Sequence, residues 1–303
     1  MSRPRRLLAA ALLALAGLLA FAYMRPVSVL EALGELVLRL QGVRSRDVQA
    51  GPYRLRYLEA GSGPPLVLVH GLGSHAMQDW GRLVAPLGRR YRVYAPDLPG
   101  FGRSERPASA DYSIPMQVEA VRGFMAAVGV TRARVAGISM GGWIAARLAA
   151  ERPELVERLV VVAPAGMRPE ASAPIPVVVL FPQDEDGVRR LIAAVRHKPP
   201  AAPAFVLRDI ARHRRRDEWI VRRTLESMRP GRDWVNGALG GARMPVLIVW
   251  GRQDALVPVA YAAPFQAEFA NARLELIDDC GHVPMADCPE AFDPLLEAFL
   301  AAP

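Results

Sequence analysis

A serine, an aspartate and a histidine occur in an order that suits nucleophilic catalysis. Ser139 is the central residue of a G-x-S-x-G pattern, and Asp254 and His282 follow it along the chain. A serine hydroxyl becomes a strong nucleophile when a histidine accepts its proton, and a carboxylate then orients the imidazole and stabilises its charged form. The three residues therefore predict acyl transfer through a covalent acyl-enzyme, with Ser139 as nucleophile, His282 as general base and acid, and Asp254 as the acid that orients His282.

The sequence around Ser139 is the one that a nucleophile on a sharp turn requires. Residues 134–137 form a short apolar run typical of a strand, and residues 143–150 have the pattern of a helix. A serine between such elements adopts strained backbone angles, and very small neighbours let the strand and the helix approach each other. Three flanking glycines supply that room, namely Gly137, Gly141 and Gly142.

A second loop is predicted to stabilise the oxyanion that such a reaction forms. Residues 70–75 read His-Gly-Leu-Gly-Ser-His and follow a short apolar run. In an oxyanion hole, two backbone N–H groups face the developing negative charge, one from the residue after the nucleophile and one from a loop of this kind. Met140 and Leu72 are the predicted donors. His70 is expected to brace the loop by hydrogen bonding, and His75 is expected to contact the substrate.

Three other aspartates compete with Asp254 for the role of the acid. Asp278 and Asp279 stand too close to His282 in the sequence for the chain to fold back easily between them. Asp97 begins the sequence Asp-Leu-Pro-Gly-Phe-Gly-Arg-Ser, whose proline and glycines are typical of a structural turn. Asp254 follows a strand-like run and is the preferred candidate.

A regular alternation of strands and helices is predicted to position these residues. Short apolar runs occur at residues 53–58, 66–69, 92–95, 134–137, 159–162, 246–250 and 274–277. Segments with helical periodicity separate most of them, which predicts a mainly parallel sheet flanked by helices on both faces. Ligands of such sheets bind beyond the carboxyl ends of the strands. Ser139, Asp254 and His282 each follow a predicted strand, so we expect them to converge at that edge.

The alternation of strands and helices has one long interruption. Between residues 166 and 241, prolines, arginines and helical stretches such as residues 187–196 replace it. We expect a helical cap there, inserted into an α/β core formed by residues 49–165 and 242–303. A length of 303 residues and a hydrophobic content of 51% suit one large α/β domain with an insertion.

Residues 1–25 are predicted to be a targeting segment. Three arginines within the first six residues precede an uninterrupted apolar run at residues 7–24. That run is near the shortest length that spans the roughly 30 Å hydrocarbon core of a bilayer. A signal anchor is the first interpretation, and an Ala-Phe-Ala sequence at residues 20–22 leaves a cleaved, secreted form open. Because positive residues favour the cytoplasmic side, the catalytic body is expected to be periplasmic or extracellular.

Residues 26–48 are predicted to be an amphipathic helical linker. Ser28, Glu31, Glu35 and Arg39 recur at helical spacing between leucines and valines. The helix either lies in the membrane interface beside the anchor or packs onto the body. The two interpretations stay open at this point.

The remaining composition suggests no further chemistry. The net charge of +8 does not predict nucleic-acid binding, because the arginines are dispersed and no aromatic-interleaved basic stripe accompanies them. The basic cluster at residues 212–216 is interpreted as a solvated helix face, with contact to anionic lipid headgroups as the alternative. An oxidising compartment would permit a bridge between Cys280 and Cys288, but their spacing is weak evidence for one. Neither lies in a metal-ligand pattern, so two partly buried thiols are expected. We expect neither a metal nor a cofactor, and the oligomeric state stays open.

From about residue 53 to residue 301, the chain resembles the α/β-hydrolase superfamily. Five sequences carry the resemblance: the loop at 70–73 with Trp80, the turn at 97–104, Ser-Met-Gly-Gly at 139–142, Trp-Gly-Arg-Gln-Asp at 250–254 and Cys-Gly-His at 280–282. The resemblance implies the α/β-hydrolase fold without a cofactor. It also adds Trp80 to the predicted substrate contacts.

The N-terminal apolar segment, the elbow sequence around Ser139 and Ala-Pro-Ala-Gly at 163–166 are similar to those of membrane-anchored monoacylglycerol lipases and related bacterial lipases. This implies hydrolysis of carboxylic esters of acylglycerols at a membrane surface, under a cap that shapes the acyl pocket. Two alternatives share the triad. One is an acyltransferase. The other is a carbon–carbon hydrolase of ring-cleavage products, although members of that group tend to carry tryptophan after the catalytic histidine, where this chain has Val283.

Overall fold

Strands at the centre of the molecule are covered by helices on both sides. The computed structural model describes residues 3–169, 173–228, 231 and 233–302. Its strands are β1 (Arg44–Ala50), β2 (Tyr53–Ala60), β3 (Pro65–Val69), β4 (Arg92–Pro96), β5 (Ala133–Ile138), β6 (Val156–Val162), β7 (Val246–Gly251) and β8 (Ala272–Ile277). Its helices are α1 (Arg3–Met24), α2 (Pro26–Leu40), α3 (Ala76–Leu87), α4 (Ile114–Ala127), α5 (Met140–Glu151), α6 (Glu185–Val195), α7 (Ala204–Met228), α8 (Ala262–Ala267), α9 (Pro284–Asp287) and α10 (Pro289–Ala301).

The described strands form one eight-stranded sheet in the order β1-β2-β4-β3-β5-β6-β7-β8. The pairs β1–β2 and β2–β4 are antiparallel, and every pair from β4 through β8 is parallel. The seven predicted strand runs all lie in β2 to β8, so the predicted α/β architecture is confirmed. The sequence pattern missed β1, because its residues Arg-Ser-Arg-Asp-Val-Gln-Ala lack the apolar run of a buried strand. It is an edge strand that pairs with β2 alone.

The core has two apolar layers, one on each face of the sheet. Successive side chains of a strand point to opposite faces. In β3, Val67 and Val69 pack in the layer that includes α4 and α5, while Leu66 and Leu68 pack in the layer that includes α3 and α10. Each such side chain stabilises the fold by about 1.5–3 kcal/mol when it is fully buried. Coverage of both faces explains why β3 to β7 read as nearly continuous apolar runs.

The helices α6 and α7 lie between β6 and β7 and form the cap that the sequence predicts. Asp184 caps α6 by accepting a hydrogen bond from the amide of Gly187 at 2.7 Å. The two helices pack against each other, and α7 also packs against α2. The cap therefore contacts both the sheet domain and the N-terminal helices.

Two N-terminal helices precede the sheet. No single helix in the described part of the chain is long and apolar enough to cross a membrane, but the segments Leu15–Met24 and Pro26–Leu40 meet that test when taken together, with a bend of 103° between them. The charged side chains used in the anchor prediction, those of Arg3, Arg5 and Arg6, lie outside the described residues. The helical linker predicted at residues 26–48 was too long: its helix ends at Leu40, and residues 44–48 belong to β1, where they pair with β2 in the sheet.

Candidate active site

Ser139 occupies the turn between β5 and α5. Its backbone angles are φ 55° and ψ −120°, a conformation that side chains other than glycine rarely adopt. The turn is held by hydrogen bonds from the Ser139 amide to Val162 O at 2.9 Å and from the amides of Trp143 and Ala165 to Ser139 O at 3.0 and 3.1 Å. The strained residue therefore stands at the carboxyl end of β5, at the N-terminus of a helix.

The glycines around Ser139 allow the backbone of this turn to pack tightly. A Cβ atom on Gly137 would lie 2.2 Å from Gly141 O, and one on Gly141 would lie 2.3 Å from Val69 O and 2.4 Å from His70 O. Real Cβ contacts essentially never fall below 3.0 Å. The pattern G-x-S-x-G is thus required here by close approach of three backbone segments.

Asp254 and His282 form a buried hydrogen-bonded pair. Asp254 follows β7 and His282 follows β8, and His282 Nδ1 lies 2.7 Å from Asp254 Oδ2. The other carboxylate oxygen of Asp254 accepts hydrogen bonds from the amides of Leu256 and Val257 at 2.9 and 2.8 Å. An ionised carboxylate can only accept hydrogen bonds, so when Asp254 is ionised the proton of this bond is on His282 Nδ1. Nε2 of a neutral ring is then the nitrogen that can act as a base.

The competing aspartates lie elsewhere. The side chain of Asp278 is 82% exposed and pairs with Arg252, and that of Asp279 is 76% exposed. Asp97 is buried and shapes a turn, because its carboxylate accepts hydrogen bonds from the amides of Ala76 and Arg103. The structure thus brings Asp254, of the four aspartates considered, to His282.

The loop that follows β3 is held in one conformation by a carboxylate that the sequence analysis did not single out. Asp79 accepts hydrogen bonds from the Gly71 amide at 2.8 Å and from the Ser74 hydroxyl at 2.6 Å. Leu72 lies between these two anchors and lines the same cavity as Ser139. Its amide makes no hydrogen bond to another described residue. Met140 is the first residue of α5, where the amide has no partner within the helix.

His70 braces this loop, as predicted. It is fully buried, its Nε2 accepts a hydrogen bond from the Leu98 amide at 2.9 Å, and its Nδ1 therefore donates to Gly71 O at 2.8 Å. Burial lowers the pKa of His70, although Asp97 and Asp79 oppose the shift. A neutral ring with both nitrogens engaged is suited to structure rather than to proton transfer.

The two predicted substrate contacts have different positions. His75 lines the cavity at the start of α3, with its Nε2 3.8 Å from Glu31 Oε1 of α2. Trp80 is fully buried in the core layer beneath α3 and is not among the residues that line the cavity. The structure therefore corrects its role to packing: Trp80 occupies the face of α3 that is turned toward the sheet.

A cavity of about 1410 Å³ adjoins these residues. This is larger than the roughly 300–1,000 Å³ of most ligand pockets. Its walls come from three parts of the molecule: Ser139 and His282 from the sheet edge, Leu191 and Leu225 from the cap, and Leu30 and Glu31 from α2. The site can therefore hold a long, mainly apolar molecule next to the serine.

Arg214 of α7 also lines the cavity, which the sequence analysis missed. The cluster at residues 212–216 was interpreted as a solvated face, but Arg214 points inward and donates to Gly73 O at 2.6 Å. No carboxylate of the described residues lies within 4.0 Å of its guanidinium. Burial lowers the pKa of Arg214, and Asp79 and Asp217 oppose that shift. The position of Arg214 in the helix did not distinguish it from the neighbouring arginines, which are exposed.

Cys280 and Cys288 are bonded to each other, and the loop between them contains His282. Two unpaired thiols were expected, because a spacing of eight residues does not show whether two cysteines meet. The turn that leads from β8 into α9 brings the two residues together, with their Cα atoms 5.7 Å apart. Both cysteines are buried.

The described residues contain no group of three or more His, Cys, Asp or Glu side chains that could hold a metal ion. The cavity is lined by Ser139, by the imidazole of His282 and by Leu72 and Met140, the two predicted backbone donors. Such groups can attack a carbonyl carbon, move one proton and stabilise an oxyanion.

Comparison with known proteins gave consistent matches. The model of the alpha/beta hydrolase family matches residues 66–294. The 2-hydroxymuconate semialdehyde hydrolase of Pseudomonas sp. strain CF600 is 32% identical over 281 residues, covering 84% of this chain and 93% of the relative. The crystal structure of a membrane phospholipase A, described as a novel bacterial virulence factor, is 31% identical with a TM-score of 0.85 and covers 98% of both chains. The 2-hydroxy-6-oxo-6-phenylhexa-2,4-dienoate hydrolase of Rhodococcus sp. strain RHA1 is 28% identical with a TM-score of 0.77, covering 86% of this chain and 99% of the other.

Proposed function

The chain belongs to the α/β hydrolase family, and we propose that it is a serine hydrolase that cleaves carboxylic esters of lipids at a membrane surface. The observation that carries this proposal is the position of Ser139: a serine with a strained backbone lies in one cavity with His282, whose Nδ1 is hydrogen-bonded to Asp254. The triad, the oxyanion donors and the lipid substrate are parts of this proposal.

In the first half-reaction, Ser139 Oγ attacks the ester carbonyl carbon while His282 Nε2 takes the hydroxyl proton. The carbonyl oxygen becomes an oxyanion, which accepts hydrogen bonds from the amides of Leu72 and Met140. The bond to the alcohol then breaks, His282 returns the proton to that alcohol, and an acyl ester of Ser139 remains. Asp254 keeps the imidazole oriented and stabilises its positive charge.

In the second half-reaction, a water molecule replaces the alcohol. His282 takes a proton from the water as its oxygen attacks the acyl carbon, and the same two amides stabilise the second oxyanion. The bond to Ser139 breaks, the serine regains the proton, and a fatty acid leaves. Hydrolysis is thereby complete without a cofactor.

A lipid substrate is supported by the unusual orientation of α2. Glu31 faces His75, and Glu35 forms an ion pair with Arg103 at 2.5 Å, so the charged face of the helix packs on the body. The apolar face is turned outward and consists of five residues that are each more than half exposed, namely Leu30, Leu33, Leu36, Val37 and Leu40. A soluble surface helix has the opposite orientation. We infer that this face lies in the membrane interface, where α1 also inserts.

Charge and redox chemistry support the proposed location of the catalytic body. The arginines at the N-terminus favour the cytoplasmic side, and a disulfide persists outside the cytoplasm. We therefore assign residues 1–25 to a membrane anchor, residues 26–40 to an interfacial helix, residues 166–241 to the cap, and residues 44–165 with 242–303 to a catalytic core on the periplasmic or extracellular side.

The proposal is tested by the hydrolysis of p-nitrophenyl esters from acetyl to palmitoyl, of a monoacylglycerol and of a lysophospholipid. We expect the rate to peak on medium or long acyl chains and to disappear in Ser139→Ala. Ser227→Ala in the cap serves as the matched serine control and keeps the wild-type rate. Ester turnover by Ser139→Ala at the wild-type rate, or no turnover of any ester by the wild type, would contradict the proposal.

The membrane part has its own test. The double variant Leu36→Glu, Leu40→Glu places two charges on the outward face of α2, and each buried leucine contributes about 1.5–3 kcal/mol to association with an apolar phase. We expect it to hydrolyse a lipid ester in phospholipid vesicles several-fold more slowly than the wild type while it cleaves a soluble butyryl ester at the same rate. Equal rates on vesicles would place α2 away from the interface, and a change in oligomeric state would indicate a second copy on this face.

Arg214 supports a second candidate, hydrolysis of a carbon–carbon bond in an anionic substrate. Relatives of the chain include hydrolases of dienoates, which carry a carboxylate, and a guanidinium in the cavity suits such a group. The phosphate of a phospholipid would satisfy the same guanidinium. Turnover of a 2-hydroxy-6-oxo-dienoate in the absence of ester turnover would favour carbon–carbon cleavage.

A further inference from the structure

Asp287 is a buried carboxylate that the proposed reaction does not use. Its side chain has no exposed surface, and it accepts four hydrogen bonds. The donors are the amides of Gly281, His197 and Lys198 at 2.8, 2.7 and 3.4 Å, and Nε of Arg196 at 2.9 Å. Burial alone would raise the pKa of Asp287, but Arg196 and these amides hold it below its usual range. The group is thus an anion that is fully engaged.

The four donors belong to two different parts of the molecule. Gly281 directly precedes His282, whereas Arg196, His197 and Lys198 follow α6 in the cap. Three of the four bonds therefore join the two parts, and a further bond does so as well, because the amide of His282 itself donates to Val195 O at 3.0 Å. The backbone of the proposed base is therefore hydrogen-bonded to the cap, and Asp287 connects the two segments.

The loop that carries His282 is also closed on itself. The Cys280–Cys288 bond joins its ends, and Asp287 stands next to one of the cysteines. A Cβ atom on Gly281 would lie 2.7 Å from the His197 amide nitrogen and 2.9 Å from Asp287 Oδ2, so glycine is needed for this approach. The close packing leaves the loop little freedom to move independently of residues 195–198.

We propose that Asp287 is a positioning residue for His282, which holds the catalytic histidine loop against the cap so that the position of the cap determines the position of the base. This inference rests on the proposed function, because it assigns His282 as the base. A displacement of the imidazole by about 1 Å costs on the order of a hundredfold in rate. Loss of the anion at residue 287 would remove the shared acceptor of the Gly281 amide and of the cap segment, and it would leave those donors without this partner.

The variant Asp287→Asn tests this role with little change in shape. Its amide oxygen replaces one acceptor, while its NH₂ group faces donors and cannot accept from them. The matched control is Asp278→Asn, which alters an exposed aspartate two residues before this loop. Active sites are first titrated with a fluorophosphonate, which labels an activated serine, and kcat and KM for a soluble butyryl ester are then expressed per titrated site.

We expect kcat per titrated site and the labelling rate constant of Asp287→Asn to fall at least about tenfold, with KM within about twofold of the wild type. Asp278→Asn should match the wild type. A purely structural role would lower the titrated fraction and the melting temperature but leave kcat per titrated site unchanged, and that result would overturn the proposal. If Asp287→Asn does not fold, Arg196→Gln decides: it removes one donor and should lower kcat per site, whereas an unchanged kcat refutes the positioning role.

Failure of the proposed function gives a different result. A wild-type protein that neither reacts with the fluorophosphonate nor cleaves any ester overturns the assignment of Ser139 and His282, and the positioning role with it. A wild-type protein that is active and titratable, beside an equally active Asp287→Asn, overturns the positioning role alone.

Discussion

A single methyl group added at Gly141 should destabilise the fold and displace part of the proposed oxyanion hole. Gly141 is in the first turn of α5, where alanine is intrinsically favoured over glycine by about 1 kcal/mol. Its Cβ would nevertheless lie 2.3 Å from Val69 O and 2.4 Å from His70 O. To reach the 3.0 Å that real Cβ contacts require, these carbonyls must move by about 0.7 Å. They belong to the chain that leads into the loop of Leu72.

The expected magnitude follows from these opposing effects. Overpacking against rigid groups costs about 1–3 kcal/mol. Because both contacts are to backbone, we take the upper end and subtract the helix propensity of alanine, which gives a net loss of about 2 kcal/mol in the free energy of unfolding. The displaced loop should lower kcat by about tenfold to a hundredfold through misplacement of an oxyanion donor.

Gly142→Ala is the matched control. At that position the Cβ would lie 3.0 Å from Pro164 Cβ and 3.2 Å from Gly137 O, so a shift of a few tenths of an ångström relieves the contact. We expect its stability to be within about 1 kcal/mol of the wild type, with kcat nearly unchanged. Urea unfolding and ester kinetics per titrated site measure both quantities. If Gly141→Ala and Gly142→Ala proved equally stable and equally active, the reasoning from close backbone approach would be refuted.

Three further predictions concern groups around the site. Burial lowers the folded-state pKa of His70, so the unfolded chain binds a proton first as the pH falls below about 6.5, and the free energy of unfolding decreases there by up to about 1.4 kcal/mol per pH unit. His70→Asn should reduce that slope in urea unfolding between pH 5 and 7.5. A slope as steep as in the wild type would contradict the assignment of this pH dependence to His70. Cys288→Ser opens a closed loop whose ends are eight residues apart, which should lower the free energy of unfolding by about 2.5 kcal/mol, and thiol reduction of the wild type should reproduce the loss. Asp254→Asn should lower kcat on a soluble ester about a thousandfold or more with little change in KM, since an amide cannot stabilise the imidazolium. A kcat equal to that of Asp278→Asn would exclude Asp254 as the catalytic partner of His282.

The fold was predictable because its determinants are local in the sequence. A strand buried on both faces must be apolar over its whole length, and the parallel strands of this sheet therefore stand out as short apolar runs between helices. The polar edge strand β1 was not predicted, because a strand that pairs on one side only does not need an apolar sequence. The proposed catalytic residues Ser139, Asp254 and His282 could be singled out for the same reason, since each follows the end of a strand and parallel strands end at one edge.

The tertiary structure determined which face of each helix meets the core, the cavity or the solvent. Trp80 was expected at the substrate, but its face of α3 packs on the sheet. Arg214 was expected in solvent, yet the packing of α7 turns it toward Gly73 and the cavity, while its neighbours stay exposed. The pattern of α2 was compatible with either a soluble or an interfacial helix, and the ion pair of Glu35 with Arg103 shows which face meets the body.

Contacts between distant segments were likewise beyond the sequence pattern. Spacing did not reveal whether Cys280 and Cys288 are bonded, since a bridge depends on the path of the chain between them. Asp287 had no motif of its own, and its partners in the cap lie about ninety residues earlier in the chain. Hydrophobic periodicity reports what each segment buries. It does not report which buried polar group will meet which donor, because that is determined when the segments pack together.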